Sequence, residues 1–155
     1  MEYFSLKLLH IVSATILFGT GLGSAFYMFV ANRQKNIKTI YFVVKTVVVA
    51  DWMFTTPAVI VQLISGMMLM QEQGYSFEDN WLVLALALYI FAGICWLPVV
   101  WLQIKMRDMA KVSAQNNSEL PKLYFVMNKW WIILGSLAFP AVLVVFYLMV
   151  FKPDF

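Results

Sequence analysis

The sequence predicts an all-α protein: a four-helix transmembrane bundle with both termini on the periplasmic side of a bacterial inner (cytoplasmic) membrane. Three observations predict it. Of 155 residues, 63% are hydrophobic and 12% charged, about half the charge of a soluble domain, and the mean hydropathy is +0.80. The apolar residues fall into four long runs, each comparable with the ~20 residues of one membrane crossing. The connectors between the runs are basic, acidic and basic in turn. So little chain is left between the runs that residues 1–155 read as a single four-span domain.

Span one covers about 6–31 and closes at the connector Asn32-Arg33-Gln34-Lys35-Asn36-Ile37-Lys38. Span two, about 40–70, is longer than a perpendicular crossing, so it tilts, kinks at Pro57, or carries Lys45 into the interface. An acidic loop, 71–80, leads to Trp81 and span three, about 81–103, which continues as a polar helix through Lys111. Residues 113–118 read as a loop, and 119–129 as a helical extension outside the hydrocarbon. Span four, about 130–151, opens on the interfacial pair Trp130-Trp131 and closes at Lys152 and Pro153. The first connector holds Arg33, Lys35 and Lys38; the third holds Lys105, Arg107, Lys111 and Lys122; the second holds Glu72, Glu78 and Asp79. Basic loops stay in the cytoplasm, and an even number of spans puts both termini opposite them.

These features exclude several functions. The net charge of +3 is a topology signal in so apolar a chain, so nucleic acid is not an expected partner and the lipid bilayer is. One cysteine, Cys95, excludes an internal disulfide and a multi-cysteine zinc site. No Ser/His/Asp triad can be specified and no phosphate-cradling glycine loop appears.

Function is expected where polar side chains enter the spans. On an ideal helix Asp51, Thr55, Gln62 and Ser65 lie within about 80° of one another, with Ala58 between them, as one polar stripe. Interhelical hydrogen bonding accounts for Thr55, Gln62 and Ser65. Asp51 asks for more: a carboxylate well inside the bilayer costs about 2.5–3.5 kcal/mol, so it is either protonated or paired with a cation. Span three presents Tyr89, Ala92, Trp96, Gln103 and Arg107 on one face. An Asp51–Arg107 pair bridged by Gln103, with Lys45 or Lys105 as substitutes, is the structural expectation, and a proton relay is the functional one.

The single histidine, His10, lies in the first turns of span one and shares a face with Ala14, Leu17, Gly21, Ser24 and Met28. Small residues around an imidazole admit a neighbouring helix or a flat macrocycle held by the ring. Gly19 and Gly23, at GxxxG spacing, suggest close helix contact, including a homodimer. Met67, Met68 and Met70 end span two at the depth of His10. Imidazole with thioether is a known haem ligation, and the same pair suits copper(I).

Three stretches carry a resemblance: the opening Leu6-Lys7-Leu8-Leu9-His10; the block from Asp51-Trp52-Met53-Phe54-Thr55-Thr56-Pro57-Ala58 to Gln62 and Gly66; and Trp96-Leu97-Pro98 to Gln103-Ile104-Lys105-Met106-Arg107. With the ending from Trp131 through Gly135 to Lys152-Pro153, they resemble a bacterial family of small inner-membrane proteins classified only as a domain of unknown function. That resemblance implies a fold and no established activity. Span one, with its glycines and Phe26-Tyr27 after His10, is also similar to the first helix of HemJ, the membrane protoporphyrinogen oxidase, which implies His10 as an axial ligand of haem b. A comparable His-bearing helix in the copper-resistance protein CopD implies copper instead.

Three functions are therefore expected in competition. One is a haem b protein for electron transfer or oxidation of a hydrophobic substrate, working with a redox partner protein. There His10 is the ligand, Gly21 gives room, Met67, Met68 or Met70 is a second ligand, and Asp51, Thr55, Gln62, Gln103 and Arg107 form a polar network. Another is a proton-coupled transporter subunit using Asp51, dimeric through Gly19 and Gly23. The third is a non-catalytic membrane assembly partner.

Overall fold

The computed structural model describes residues 3–154, and all its regular structure is helical. In chain order it has α1 (Tyr3–Gln34), α2 (Ile37–Ala50), a π-helical segment (Asp51–Thr55), α3 (Thr56–Glu72), α4 (Asn80–Asn116) and α5 (Lys122–Phe151). The second, π and third pieces form one continuous rod, Ile37–Glu72, so four helices are long and apolar enough to cross a membrane. Each contains the apolar run expected of it.

Local chemistry sets the boundaries. Lys35, at φ 56°, breaks α1 from α2, and the Asn36 side chain caps α2 by accepting from the Thr39 N–H at 3.1 Å. The stretch 113–118, expected as a loop, is helical to Asn116. Asn117 ends the helix in the left-handed conformation, its N–H bonded to the Ser113 carbonyl. Ser113 is buried and donates its hydroxyl to the Glu119 carbonyl at 3.1 Å. Of the expected extension 119–129, the part from Lys122 onward is helical and continuous with span four.

The break expected at Pro57 takes a particular form. Immediately before it the Thr56 N–H bonds the Asp51 carbonyl five residues back, a π turn that widens the helix by one residue. Pro57 then opens α3; because the rod is continuous it forgoes one backbone bond to the preceding turn, and the widened turn makes room for its ring.

Packing divides the bundle lengthwise. At the end rich in Lys and Arg, one core draws on every span: Met28 and Ala31; Ile40, Val44 and Val47; Val99, Leu102, Met106 and Ala110; Tyr124 and Trp131. Tyr124 is fully buried and donates to Asn32 Oδ1 at 2.8 Å, while Asn32 Nδ2 donates to Asn128 Oδ1 at 3.0 Å, tying α1 to α5. At the other end Trp81, Ala85, Val145 and Leu148 join α4 to α5 alone, and α1 packs on α3 as a second pair. The pairs meet at Phe18, whose ring lies 4.9 Å from Phe139 and 5.4 Å from Phe146. Tyr89 bridges them again, donating to the Val59 carbonyl at 2.7 Å. Side chains such as Phe42, Trp52, Ile94 and Leu97 point outward, more than half exposed, forming the surface that hydrocarbon covers.

Candidate functional site

His10 is held between α1 and α3 by both ring nitrogens. Ser13 Oγ donates to Gln62 Oε1 at 2.5 Å, and Gln62 Nε2 donates to His10 Nε2 at 2.9 Å. That leaves Nδ1 as the protonated nitrogen, donating to Ser65 Oγ at 2.8 Å, and Ser65 Oγ donates to the Val61 carbonyl at 2.6 Å. The chain also closes in the opposite sense. With the Gln62 amide turned and the other imidazole tautomer, Ser65 donates to Nδ1, Nε2 to Gln62, Gln62 to Ser13, and Ser13 to the His10 carbonyl 2.9 Å away. Each hydroxyl proton is used once in either order.

The polar stripe of span two splits into two faces. His10 with Ser65 and Ser13 with Gln62 set an antiparallel register between α1 and α3. The extra residue of the π turn rotates the preceding helix by roughly 100° relative to α3. Gln62 and Ser65 therefore face α1, whereas Asp51 reaches α4. Asp51 is 4% exposed, accepts from Thr55 Oγ1 at 2.8 Å, and is met from α4 by the Gln103 side chain. Gln103 is 2% exposed and its Oε1 has no hydrogen-bond partner. Continued toward the basic end, the α1–α3 register brings buried Ser24 to about the level of Asp51.

The expected Asp51–Arg107 pair does not form. Arg107 Nε and Nη2 donate to Asp108 Oδ1 at 2.9 and 2.8 Å. Arg107 lies one turn beyond Gln103 toward the end of the bundle, where a hydrated partner spares it the desolvation that burial beside Asp51 would cost. Lys45 and Lys105 do not substitute: among the described residues, no Lys or Arg lies within 4.0 Å of the Asp51 carboxyl. Gln62 likewise joins His10, not the Asp51 network.

Axial haem or copper ligation does not fit the His10 site as arranged. A ligand nitrogen needs a free lone pair, and in either order of the chain one ring nitrogen carries the proton while the lone pair of the other accepts from Gln62 or Ser65. The ring edge is also closed, since a Cβ on Gly66 would sit 3.1 Å from His10 Cε1. Gly21, expected to make room for a macrocycle, is exposed and faces open space. Met67 and Met68 are 51% and 40% exposed on the outer side of α3, and Met70 is half-buried one turn beyond Gly66. Among the described residues, no three of His, Cys, Asp and Glu gather into a metal-binding group.

Two contributors escape a reading by composition and helical wheel. Ser13 is buried at 4% but looks like any small polar residue of a span; its signal is the position one turn from His10. Gly66 sits beside Ser65, and only the approach of the imidazole gives it a role.

The chain belongs to the family described as "Predicted integral membrane protein (DUF2269)", whose model matches residues 4–153. No curated protein and no solved structure matches it. It is an integral membrane protein, with four helices among the described residues long and apolar enough to cross the membrane.

Proposed function

We propose that this DUF2269 protein is a proton-handling membrane subunit, in which Asp51 takes up and releases the proton and the His10 chain relays polarity in the other half of the bundle. The carrying observation is Asp51 itself: a carboxyl 4% exposed, at the start of a π turn, bonded by Thr55 and Gln103, with no Lys or Arg of the described residues paired with it. Intramembrane ionisable groups and π turns both concentrate at functional sites. Gln103 can serve either state of the carboxyl, its NH2 donating to a carboxylate and its C=O, after the amide turns, accepting from an acid O–H. The His10 chain supports the same reading because it too closes in two senses. From Asp51 to Ser65 the polar positions extend for roughly 21 Å, about two thirds of the hydrocarbon thickness. We place the protein in a bacterial inner membrane, basic end inward, and Gly19 and Gly23, with no neighbouring element within 4 Å of a built Cβ, are where a second copy would pack.

The test is proton flux into liposomes containing the purified protein and a trapped pH dye. Flux above that of empty liposomes, reduced at least tenfold in Asp51→Asn, is the expected result. Flux equal to that of empty liposomes, or unchanged in the variant, overturns the reading in favour of an assembly partner. The haem b reading is tested on the same preparation, since a Soret band lost in His10→Ala would restore it.

A further inference from the structure

The charge at the basic end is concentrated and largely unpaired. Nine of the eleven Lys and Arg lie there (Arg33, Lys35, Lys38, Lys45, Lys105, Arg107, Lys111, Lys122 and Lys129), against two acidic residues, Asp108 and Glu119. Between α2 and α4 this end holds a groove of about 330 Å³ that Tyr41, Lys45, Arg107, Asp108 and Lys111 line, within the size range of small-ligand sites. Tyr41 and Lys45 are one turn apart on α2, as are Arg107 and Lys111 on α4, so two helix faces converge on the space. Asp108 answers Arg107 alone. Lys45 and Lys111 make no ion pair among the described residues, leaving three cations around one anion.

We infer that this groove binds the phosphodiester headgroup of an anionic membrane lipid. The depth of Lys45 decides between a lipid and a free anion. It stands eight residues inside α2, about 12 Å from the start of that helix, within a rod apolar enough to cross the membrane. Val49, which also lines the groove, is 46% exposed one turn deeper, and Trp52 beyond it is 58% exposed. A phosphate held by Lys45, Arg107 and Lys111 would thus have acyl chains running down an outward apolar face. Free phosphate would gain only the cations. Basic pockets between spans recognise anionic headgroups by this combination of charge and depth. The inference does not rest on proton handling by Asp51.

Native mass spectrometry of the detergent-solubilised full chain, titrated with dioleoylphosphatidylglycerol, dioleoylphosphatidylcholine or inorganic phosphate, tests it. One phosphatidylglycerol is expected to bind at least tenfold more tightly than phosphatidylcholine and to resist displacement by millimolar phosphate. Lys45→Gln, Arg107→Gln and Lys111→Gln each weaken it about fivefold, while Lys105→Gln with Lys122→Gln leaves it unchanged. Equal loss in that control pair means diffuse surface charge and overturns the site. Displacement by phosphate, or no preference for phosphatidylglycerol, overturns the lipid assignment. The single exposed variant Lys105→Gln serves as the control should the pair fold poorly.

Discussion

His10 Nε2 and Gln62 Nε2 lie 2.9 Å apart across the α1–α3 interface, so the nitrogen a metal would use is occupied by the side-chain amide in either order of the hydrogen-bond chain. The second nitrogen is already arranged as in many metal sites, with Nδ1 directed at the Ser65 hydroxyl, which can accept its proton. Gln62→Ala should therefore expose a ligand nitrogen. Haem added to that variant is expected to develop a Soret band, with none in the wild-type protein or in Gln62→Ala combined with His10→Ala. A band in the wild type would show that Gln62 yields its place readily.

Gly66 is the position where the imidazole comes closest to α3. An added methyl would meet His10 Cε1 at 3.1 Å, tight enough that the ring must give by a few tenths of an ångström against the two hydrogen bonds that hold it. Gly66→Ala is expected to destabilise the protein by about 1–3 kcal/mol in thermal unfolding in detergent. In a His10→Ala background the same change should cost little, and a cycle without coupling would place the strain elsewhere.

Asp51 and Thr55 make a separate prediction about stability. Asparagine keeps the shape of Asp51 and an oxygen to accept from Thr55 Oγ1, now 2.8 Å away, so Asp51→Asn should unfold no earlier than wild type. Asp51→Leu strands the Thr55 hydroxyl and removes the partner of Gln103, and should cost about 1–2 kcal/mol. An Asp51→Asn protein much less stable than wild type would point to a charged group compensated by a cation brought near.

The Tyr124 hydroxyl is fully buried against Asn32. Tyr124→Phe leaves Asn32 Oδ1 without its donor and loosens the link from α1 to α5. The expected cost is about 1 kcal/mol, within the range for hydrogen bonds between membrane helices. The corresponding loss for Tyr75→Phe, which removes the exposed bond from Lys152 Nζ to Tyr75 OH at 2.7 Å, should be smaller, and chemical denaturation of both variants compares them.

Much of this molecule is legible in its sequence because lipid imposes simple rules. Four apolar runs of sufficient length become four helices when backbone polar groups have no water to bond. Asp51 stands out because charge is rare in such runs, and it is buried as its position in span two implies. The pairing of Arg107 differs from expectation for a physical reason: a helical wheel reports which face a residue shares but not whether a nearer, hydrated partner such as Asp108 already satisfies it. The close approach of the imidazole to a glycine, at Gly66, was not legible for a related reason: it depends on how α1 and α3 meet.

The sequence by itself determined the helical class, the four crossings, the separation of a basic end from an acidic loop, and the presence of one carboxyl and one imidazole within apolar helices. These properties depend on composition and run length, which act residue by residue. The tertiary structure decided what those two groups meet. The antiparallel register of α1 on α3 gave His10 to Gln62 and Ser65, and the π turn before Pro57 swung Asp51 toward Gln103. Neither is contained in a regular 3.6-residue period, because one depends on how two distant helices slide together and the other on a single widened turn.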